Sequence, residues 1–594
     1  MFSIIVLSLK TIFLLYYVGY GFTAILLPKQ LKKYFIWFIP WVATACIAIF
    51  GVIFSLGKFP MNTAYYGIIG LSSGALIYVY YKKQMMGMNF KDNFLNIAAV
   101  IVAFGLSIAP LVMRVGFPTV VSLSNLDPIS YTNVGDFLKN HSVWEGATYV
   151  PYSPYLWSVG DLLHYSYRWG SPMILSFFSS VFQLRGYEIY SILLTLYFAL
   201  SFPLVVVLTQ ILAKKYSPYL WIFLFITYAF NSTLVYMLFN VFFAQFLFAG
   251  LYMSMIILYL AYPSQKEKSF FTNFHFLIAI FIASITTVYP EGLLFVLIPI
   301  VLITIFRYIF MDKNITYAKL TAKVLFLALI ISPVTFQTGF RQNLAVIFAN
   351  SKPGFIGWEP LPNASPIEIM GFYNLNYSRR LPFIIFSVLS LPIVLIWIIG
   401  FIKSKNKIVI SSFLITFLLL LFNFRYVNKN YFFFHRTLTY GLFLFSVLFS
   451  IGASDLLQLF RKRFIKYTVM IVFVAMTIRS YYRTWYQMYW HMNIVDKSLV
   501  SLREINDNQK FQEIFYTADV FIGEYNLWKR QWRDQILIDK KIISNQNYRY
   551  EAVLPKKTYV LAEKEKLSYQ GKTIKFKRKL WENEYYILGE IVKK

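Results

Sequence analysis

Two aspartates stand in the stretch SNLDPISYTNVGDFLKNH, directly after a long apolar run. The carboxylates of Asp127 and Asp136 are candidate catalytic groups, because a carboxylate can take the proton from a hydroxyl group that attacks a substrate. A structural role is equally open for Asp127, which precedes Pro128 in the pattern of a helix N-cap followed by a first-turn proline. In a helix over residues 127–139, Asp127 shares a face with Tyr131, whereas Asp136 is turned partly away.

Four arginines are candidates for holding a phosphate group, since the guanidinium fork matches two phosphate oxygens. Arg168 lies in the same loop as the aspartates, and Arg436 lies within the aromatic-rich run YFFFHRTLTYG. An arginine inside such a run needs a partner, such as an acidic residue on a neighbouring helix. Arg379 and Arg380 precede another apolar run, where they either bind phosphate or anchor that run at the membrane surface.

Three further polar residues are candidates for contacting a substrate: Tyr131, His164 and Glu291. An orienting or packing role is the simpler interpretation for His164, because no second His or Cys stands at the spacing of metal ligands. Glu291 lies between two apolar runs. A role in substrate binding and a role as a solvated loop residue are equally open for it. A divalent metal ion is left open as a cofactor, since a metal ion and an arginine can each neutralise a phosphate.

The elements that carry these residues are predicted to be membrane spans. Of 594 residues, 58% are hydrophobic and only 14% are charged, a balance that excludes a water-soluble globular protein. Apolar stretches of about 17–25 residues are long enough to cross a membrane. Fourteen spans are predicted, at residues 2–27, 34–57, 62–81, 93–113, 187–212, 217–232, 238–262, 271–289, 290–310, 319–338, 382–402, 408–425, 432–452 and 464–480.

The net charge of +30 is spread over many short segments between apolar runs. That distribution argues against a nucleic-acid-binding patch and is typical of lysines and arginines that mark the cytoplasmic side of a membrane. On this basis three segments lie on the outer side: loop 114–186, loop 339–381 and tail 481–594. The assignment requires residues 169–184 to form an amphipathic or re-entrant helix that does not cross the membrane.

Three parts are predicted along the chain: a three-span extension over 1–92, a core over 93–480 with the loop 114–186, and an α+β domain over 481–594. In the last part, charges of both signs surround short alternating stretches, which are typical of strands joined by polar turns. Its Tyr525, Trp528 and Trp532 are candidates for stacking on a sugar, and the aromatic core of a small domain is the commoner reason for such residues.

The order of these parts resembles the GT-C superfamily of integral-membrane glycosyltransferases, which take a sugar from a polyprenyl-phosphate donor on the outer side of the membrane. In LDPISYTNVGDFL, Asp127 stands in the acidic position of the family and Tyr131 follows four residues later. In YRWGSPMILSFFSSVFQLRG, Arg168, Ser171 and Pro172 stand where the aminoarabinose and protein mannosyl transferase members often carry Lys-Pro-Pro. The similarity covers about residues 93–455. The chain departs from the family in its additional early spans and in lacking an adjacent acidic pair.

The resemblance implies a multi-pass cell-membrane enzyme that transfers a sugar from a polyprenyl-phosphate donor to a cell-envelope acceptor. Asp127 would act as the base, with Asp136 as a second acid, a metal ligand or a solvated residue, and the arginines would bind the donor phosphate. The implied partners are the donor, the acceptor and membrane lipid, with no nucleic acid. The alternatives are a transporter or flippase for lipid-linked sugars, an envelope polymer ligase and a non-catalytic scaffold.

Overall fold

The structure is a computed structural model that combines a bundle of apolar helices with a small sheet near the end of the chain. The residues it describes are 2–87, 90–123, 127–145, 159–165, 167–214, 217–240, 242–262, 271–310, 315–348, 365–372, 383–517, 524–537, 540–544, 559–564, 568–569, 572–573 and 575–591.

The helices of the bundle are α1 (Phe2–Leu26), α2 (Phe35–Leu56), α3 (Met61–Tyr81), α4 (Phe90–Arg114), α5 (Asp127–Asn140), α6 (Gly170–Phe182), α7 (Gly186–Leu212), α8 (Pro218–Ala229), α9 (Ser232–Phe239), α10 (Phe243–Ala261), α11 (Asn273–Val288), α12 (Leu293–Phe310), α13 (Thr316–Ile331), α14 (Pro333–Phe348), α15 (Pro366–Ile369), α16 (Phe383–Lys403), α17 (Lys407–Phe422), α18 (Tyr431–Leu459) and α19 (Arg463–His491). The tail adds α20 (Lys497–Ser501), α21 (Arg503–Asp507) and α22 (Glu524–Ile536).

Within the described residues, ten helical stretches are long and apolar enough to cross a membrane, and a bent pair raises the number to eleven. The predicted polytopic helical class is confirmed, with fewer spans than the fourteen expected. The difference comes from three helices, α3, α11 and α16. Helix α11 has 16 residues, about 24 Å at the usual rise per residue, and the described apolar part of α16 is similarly short. Helix α3 is long enough, but its many Tyr, Ser and Gly residues lower its hydropathy.

The predicted span 319–338 is interrupted by a sharp bend. The chain bends by 114° between helices α13 and α14, and Pro333 begins the second of them. Proline lacks the backbone N–H and clashes with the preceding turn, so a straight helix cannot continue through it. At the bend, the Ser332 and Thr335 hydroxyls lie 3.2 and 3.3 Å from the hydroxyl of Thr287 on α11. The polar groups at the break therefore have partners inside the bundle.

Helix α2 lies in the middle of the bundle, although the sequence assigns it to an N-terminal extension. It is buried along almost its whole length. A Cβ atom on Gly250 of α10 would lie 1.9 Å from the Trp41 indole, so only glycine lets the two helices approach this closely. The Thr44 hydroxyl also donates to the Tyr197 hydroxyl of α7, at 3.1 Å.

The tail contains the expected small α+β unit. Its strands are β3 (Glu513–Thr517), β4 (Lys541–Ser544), β5 (Tyr559–Glu563), β6 (Ser568–Tyr569), β7 (Lys572–Thr573), β8 (Phe576–Glu582) and β9 (Tyr586–Ile591). Five of them form one sheet in the order β4-β3-β5-β9-β8, with β3 parallel to both of its neighbours and β9 antiparallel to both of its own. Helix α22 follows β3 and precedes β4, and Trp532 is buried in it.

The tail is joined to the loop that follows α4. Strand β1 (Val121–Ser122) pairs antiparallel with β2 (Asn493–Ile494), which directly follows α19. The loop with the candidate aspartates and the small sheet unit therefore lie at the same end of the bundle.

Candidate active site

A buried ion pair joins the loop before α6 to the turn between α11 and α12. The Arg168 guanidinium donates to the Glu291 carboxylate through both Nε and Nη2, and the Nε–Oε1 distance is 2.9 Å. Arg168 Nη1 also approaches the Tyr131 hydroxyl on α5, at 3.4 Å. The side chains of Arg168 and Glu291 are 17% and 9% exposed, so this is a largely desolvated pair with a phenol at its edge.

A second arginine reaches the same place from α18. Arg436 is 5% exposed, and its Nη1 donates to the Tyr289 hydroxyl. Its guanidinium lies 5.3 Å from the centre of the Tyr289 ring, and the Arg168 guanidinium lies 5.5 Å from the same ring. The partner expected for Arg436 is thus Tyr289, which also contacts Arg168. The two guanidinium groups converge on this ring beside the Glu291 carboxylate.

Asp127 and Asp161 add negative charge to this group. Asp127 is the first residue of α5 and is half-buried. Burial raises the pKa of the Tyr131 phenol to about 12; Arg168 acts against that rise, and Asp127 adds to it. Burial also raises the pKa of the Asp161 carboxyl, with Arg168 opposing the rise and Asp127 and Glu291 increasing it. These charged groups therefore lie within electrostatic range of one another.

The backbone before α6 holds Arg168 in place. Residues Asp161–Tyr165 form a π-helical turn, and the Arg168 N–H closes it on the Leu162 carbonyl at 3.0 Å. The Ser171 hydroxyl donates to the Val288 carbonyl at the end of α11, at 2.6 Å. A Cβ atom on Gly170 would lie 2.9 Å from the Val288 nitrogen, so a glycine is needed where the start of α6 meets the end of α11. This contact brings Arg168 to the turn that carries Glu291.

Asp136 lies elsewhere, on the opposite side of α5. Its Oδ1 accepts the Gly186 N–H at the start of α7, at 2.8 Å. Burial raises the pKa of this carboxyl to about 6, with Arg185 and Lys139 opposing the rise. The structure therefore separates the two predicted aspartates: Asp127 is within electrostatic range of Tyr131 and Asp161, and Asp136 joins two helices.

The remaining predicted residues contribute less to the described site. His164 is exposed in the π-helical turn, whereas Arg379 and Arg380 lie outside the described residues. In the tail, Trp532 is buried, and the side chains of Tyr525 and Trp528 lie outside the described part. Among the side chains that the structure describes, no group of three or more His, Cys, Asp or Glu residues is placed to hold a metal ion.

Two members of the cluster were not among the predicted site residues: Tyr289 and Asp161. Tyr289 stands two residues before Glu291, inside an apolar run in which an aromatic residue looks like ordinary packing. Asp161 stands seven residues before Arg168, in a loop that is rich in charged residues throughout. The sequence signal for each of them was its position close to a predicted site residue.

A small apolar cavity lies inside the bundle between α7, α10, α17 and α18. Its volume is about 20 Å³, room for about one water molecule. Its lining residues are Leu208, Leu212, Tyr252, Met253, Ile256, Leu260, Val409, Ile410, Phe413, Phe417, Tyr440, Phe443 and Leu444. The ring of Tyr440 on α18 lies 6.0 Å from the Tyr289 ring.

Comparison with known proteins gives a structural likeness to a membrane protein of known structure. No family model and no curated protein matches the sequence. Among solved structures, the archaeal oligosaccharyltransferase AglB from Archaeoglobus fulgidus, in complex with an inhibitory peptide and a dolichol-phosphate, is similar with a TM-score of 0.45 and 13% identity. The match covers 77% of this chain and 65% of that protein. At this identity and TM-score the likeness concerns the arrangement of helices alone.

Proposed function

We propose that the protein is a membrane glycosyltransferase of the GT-C type, which transfers a sugar from a polyprenyl-phosphate donor to a cell-envelope acceptor on the outer face. The observation that carries the proposal is the convergence of Arg168 and Arg436 on Tyr289, beside Glu291, with Asp127 within electrostatic range of Tyr131.

The charge and surroundings of this cluster fit a lipid-linked phosphate. Two guanidinium groups converge on the Tyr289 ring, and buried arginines hold a phosphate more strongly than exposed ones. A donor with a phosphate head and an isoprenoid chain would place its head at these guanidinium groups and its chain along the apolar helices of the bundle.

The chemistry requires one base and one stabilised leaving group. In the proposed step, the Asp127 carboxylate accepts the proton of the acceptor hydroxyl while that oxygen bonds to the anomeric carbon of the sugar. The bond from the anomeric carbon to the phosphate oxygen breaks, and its electron pair stays on the phosphate, which Arg168 and Arg436 stabilise. No acid is needed at the leaving group, because a phosphate leaves as an anion.

Sugar transfer by purified protein in liposomes tests the proposal. The assay uses a radiolabelled polyprenyl-phosphate sugar and compares wild type with Asp127→Asn. Loss of the base should lower turnover by about 10²-fold or more. Asp136→Asn is the matched control, because Asp136 contacts Gly186 instead of the arginine cluster, and it should transfer sugar at nearly the wild-type rate. Unchanged turnover in Asp127→Asn would remove Asp127 from the base role.

The transporter alternative predicts a different result in the same liposomes. A flippase would move the labelled lipid between leaflets without labelling any acceptor. A transporter also favours ionisable groups near the membrane midplane, whereas the described cluster lies at the end of the bundle that meets the tail. Lipid movement without sugar transfer would therefore replace the proposed function with transport.

A further inference from the structure

The tail contacts the chain just before Asp127. Strand β1 (Val121–Ser122) is held by its pairing with β2 (Asn493–Ile494). The Thr119 hydroxyl donates to the Val495 carbonyl at 2.8 Å, and the Val495 N–H donates to the Val120 carbonyl at 3.1 Å. Thr119 and Val120 are fully buried, so the approach to α5 is fixed by the tail.

The tail also contacts the chain just after Asp127. Gln535 of α22 donates through Nε2 to the Thr132 hydroxyl on α5, at 2.5 Å. The Thr132 hydroxyl in turn donates to the carbonyl of Pro128, at 2.7 Å, and Pro128 directly follows Asp127. Gln535 and Thr132 are both almost completely buried. Two successive hydrogen bonds therefore connect the tail to the first turn of the helix that begins with Asp127.

Helix α22 is itself fixed against the bundle. The Trp532 ring lies 6.5 Å from the Tyr187 ring of α7 in an edge-on arrangement, and both side chains are buried. Arg185 and Asp507 form a partly exposed ion pair at 3.8 Å nearby. An exposed pair of this kind adds little stability, so the buried aromatic contact and the Gln535 amide determine where α22 lies.

We infer that the C-terminal domain positions the carboxylate of Asp127, with Gln535 and Thr132 as positioning residues; this rests on the proposed function. The domain holds the chain on both sides of Asp127, which leaves the first turn of α5 little freedom to move. A base must lie about 3 Å from the hydroxyl that it deprotonates, and a displacement of about 1 Å can cost a factor of about 10² in rate. The domain thereby acts on the rate of the reaction without touching the reacting atoms.

The test compares variants that remove or keep the connecting hydrogen bonds. Gln535→Leu keeps the size of the side chain and removes the donor, and Thr132→Val removes the hydroxyl. Both should lower kcat by about tenfold or more while the KM for the donor stays within about twofold of wild type. Thr132→Ser keeps the hydroxyl and should restore most of kcat. Gln512→Leu is the matched control, because Gln512 is an exposed tail residue whose amide bonds only to Gln509 in the described residues, and its kcat should equal that of wild type.

Hydrogen exchange gives a second measurement that does not depend on activity. Backbone amides of residues 129–132 should exchange faster in Gln535→Leu than in Gln512→Leu, whereas amides of α2 should be unchanged. Unchanged exchange and unchanged kcat in Gln535→Leu would overturn the inference, as would a loss of activity that only follows the amount of folded protein. If the wild type transfers no sugar, the proposed function fails, and faster exchange at residues 129–132 still supports the coupling of the tail to this turn.

Discussion

The stability of the Arg168–Glu291 ion pair depends on what replaces the Glu291 carboxylate. Glu291→Ala leaves Arg168 buried without its carboxylate, and we expect a loss of about 3–5 kcal/mol of unfolding free energy. Glu291→Gln keeps an acceptor for the guanidinium and should cost less. Thermal unfolding in detergent, combined with Arg168→Met in a double-mutant cycle, measures both values. Equal losses for the alanine and glutamine variants would contradict the expectation.

The Asp136 carboxyl should make the folded protein less stable as the pH rises. Its pKa rises from 3.8 to about 6 on burial, so the folded state binds this proton more tightly than the unfolded state. The stability it contributes is complete below about pH 4 and is lost as the pH rises through about 6. Asp136→Asn keeps an oxygen for the Gly186 N–H and carries no charge. Between pH 4 and pH 7 the variant should therefore gain about 2 kcal/mol relative to wild type.

Thermal midpoints of wild type and Asp136→Asn across that pH range measure the difference. Parallel curves for the two proteins would show that the carboxyl does not titrate as expected. The exposed His141–Glu145 pair offers a comparison, because Glu145→Gln at the surface should leave the pH dependence nearly unchanged.

At the level of single residues, the helical spacing in the sequence predicted which side chains share a face of one helix. The sequence did not predict which residues pair between distant segments. The spacing of α5 separated Asp127 with Tyr131 from Asp136, and the structure has the same separation. The need of Arg436 for a partner was also evident from its apolar surroundings. Its partner Tyr289 and the Arg168–Glu291 pair join segments far apart in the chain. Such contacts depend on which helix faces meet, and this is not contained in the periodicity of any one helix.

Two glycines allow α16 and α18 to approach closely. A Cβ atom on Gly400 would lie 1.9 Å from the Leu448 carbonyl oxygen, and one on Gly452 would lie 2.0 Å from the Ile396 carbonyl oxygen. Small residues at such contacts are typical of helix pairs in membranes, because backbone approach replaces the hydrophobic effect as the source of association.

Gly452→Ala should therefore force α16 and α18 apart and lower the thermal midpoint. Sugar transfer should fall as well, because α18 carries Arg436. Gly74→Ala on α3 is the matched control: among the described residues no other group lies within 4 Å of its added methyl, and alanine is the better helix former. A Gly452→Ala protein as stable and active as Gly74→Ala would show that the contact tolerates a methyl group.

The positions of the helices were predictable from hydropathy, and the bend between α13 and α14 was not. Pro333 was visible in the sequence, yet Pro40, Pro203 and Pro392 lie inside continuous helices. A proline therefore does not by itself indicate whether a membrane helix breaks, since neighbouring groups can satisfy the freed carbonyl. The same limit applies to α6, whose residues from Gly170 to Ser180 are all buried. A helix that is apolar on every side does not reveal from its own sequence whether lipid or protein surrounds it.

For the whole molecule, the proposed orientation places the tail and the Asp127 loop outside the cytoplasm. Cys46, the single cysteine, is buried, so an added surface cysteine is the only one that a bulky reagent reaches. A membrane-impermeant maleimide applied to intact cells should label Gln512→Cys and leave Lys405→Cys, in the turn after α16, unlabelled until the cells are opened. The reverse pattern would place the reaction on the cytoplasmic side.

The pairing of β1 with β2 joins a segment that is synthesised early to one that is synthesised late. Thr119 and Val495 are 376 positions apart, and most of the described membrane helices are synthesised between them. The loop with Asp127 leaves the ribosome early and has no tail to hold it until the last helix is inserted and the sheet unit folds. A chain that stops anywhere before Gln535 lacks the contacts on at least one side of Asp127. Under the proposed function, such a chain would transfer sugar more slowly than the complete chain.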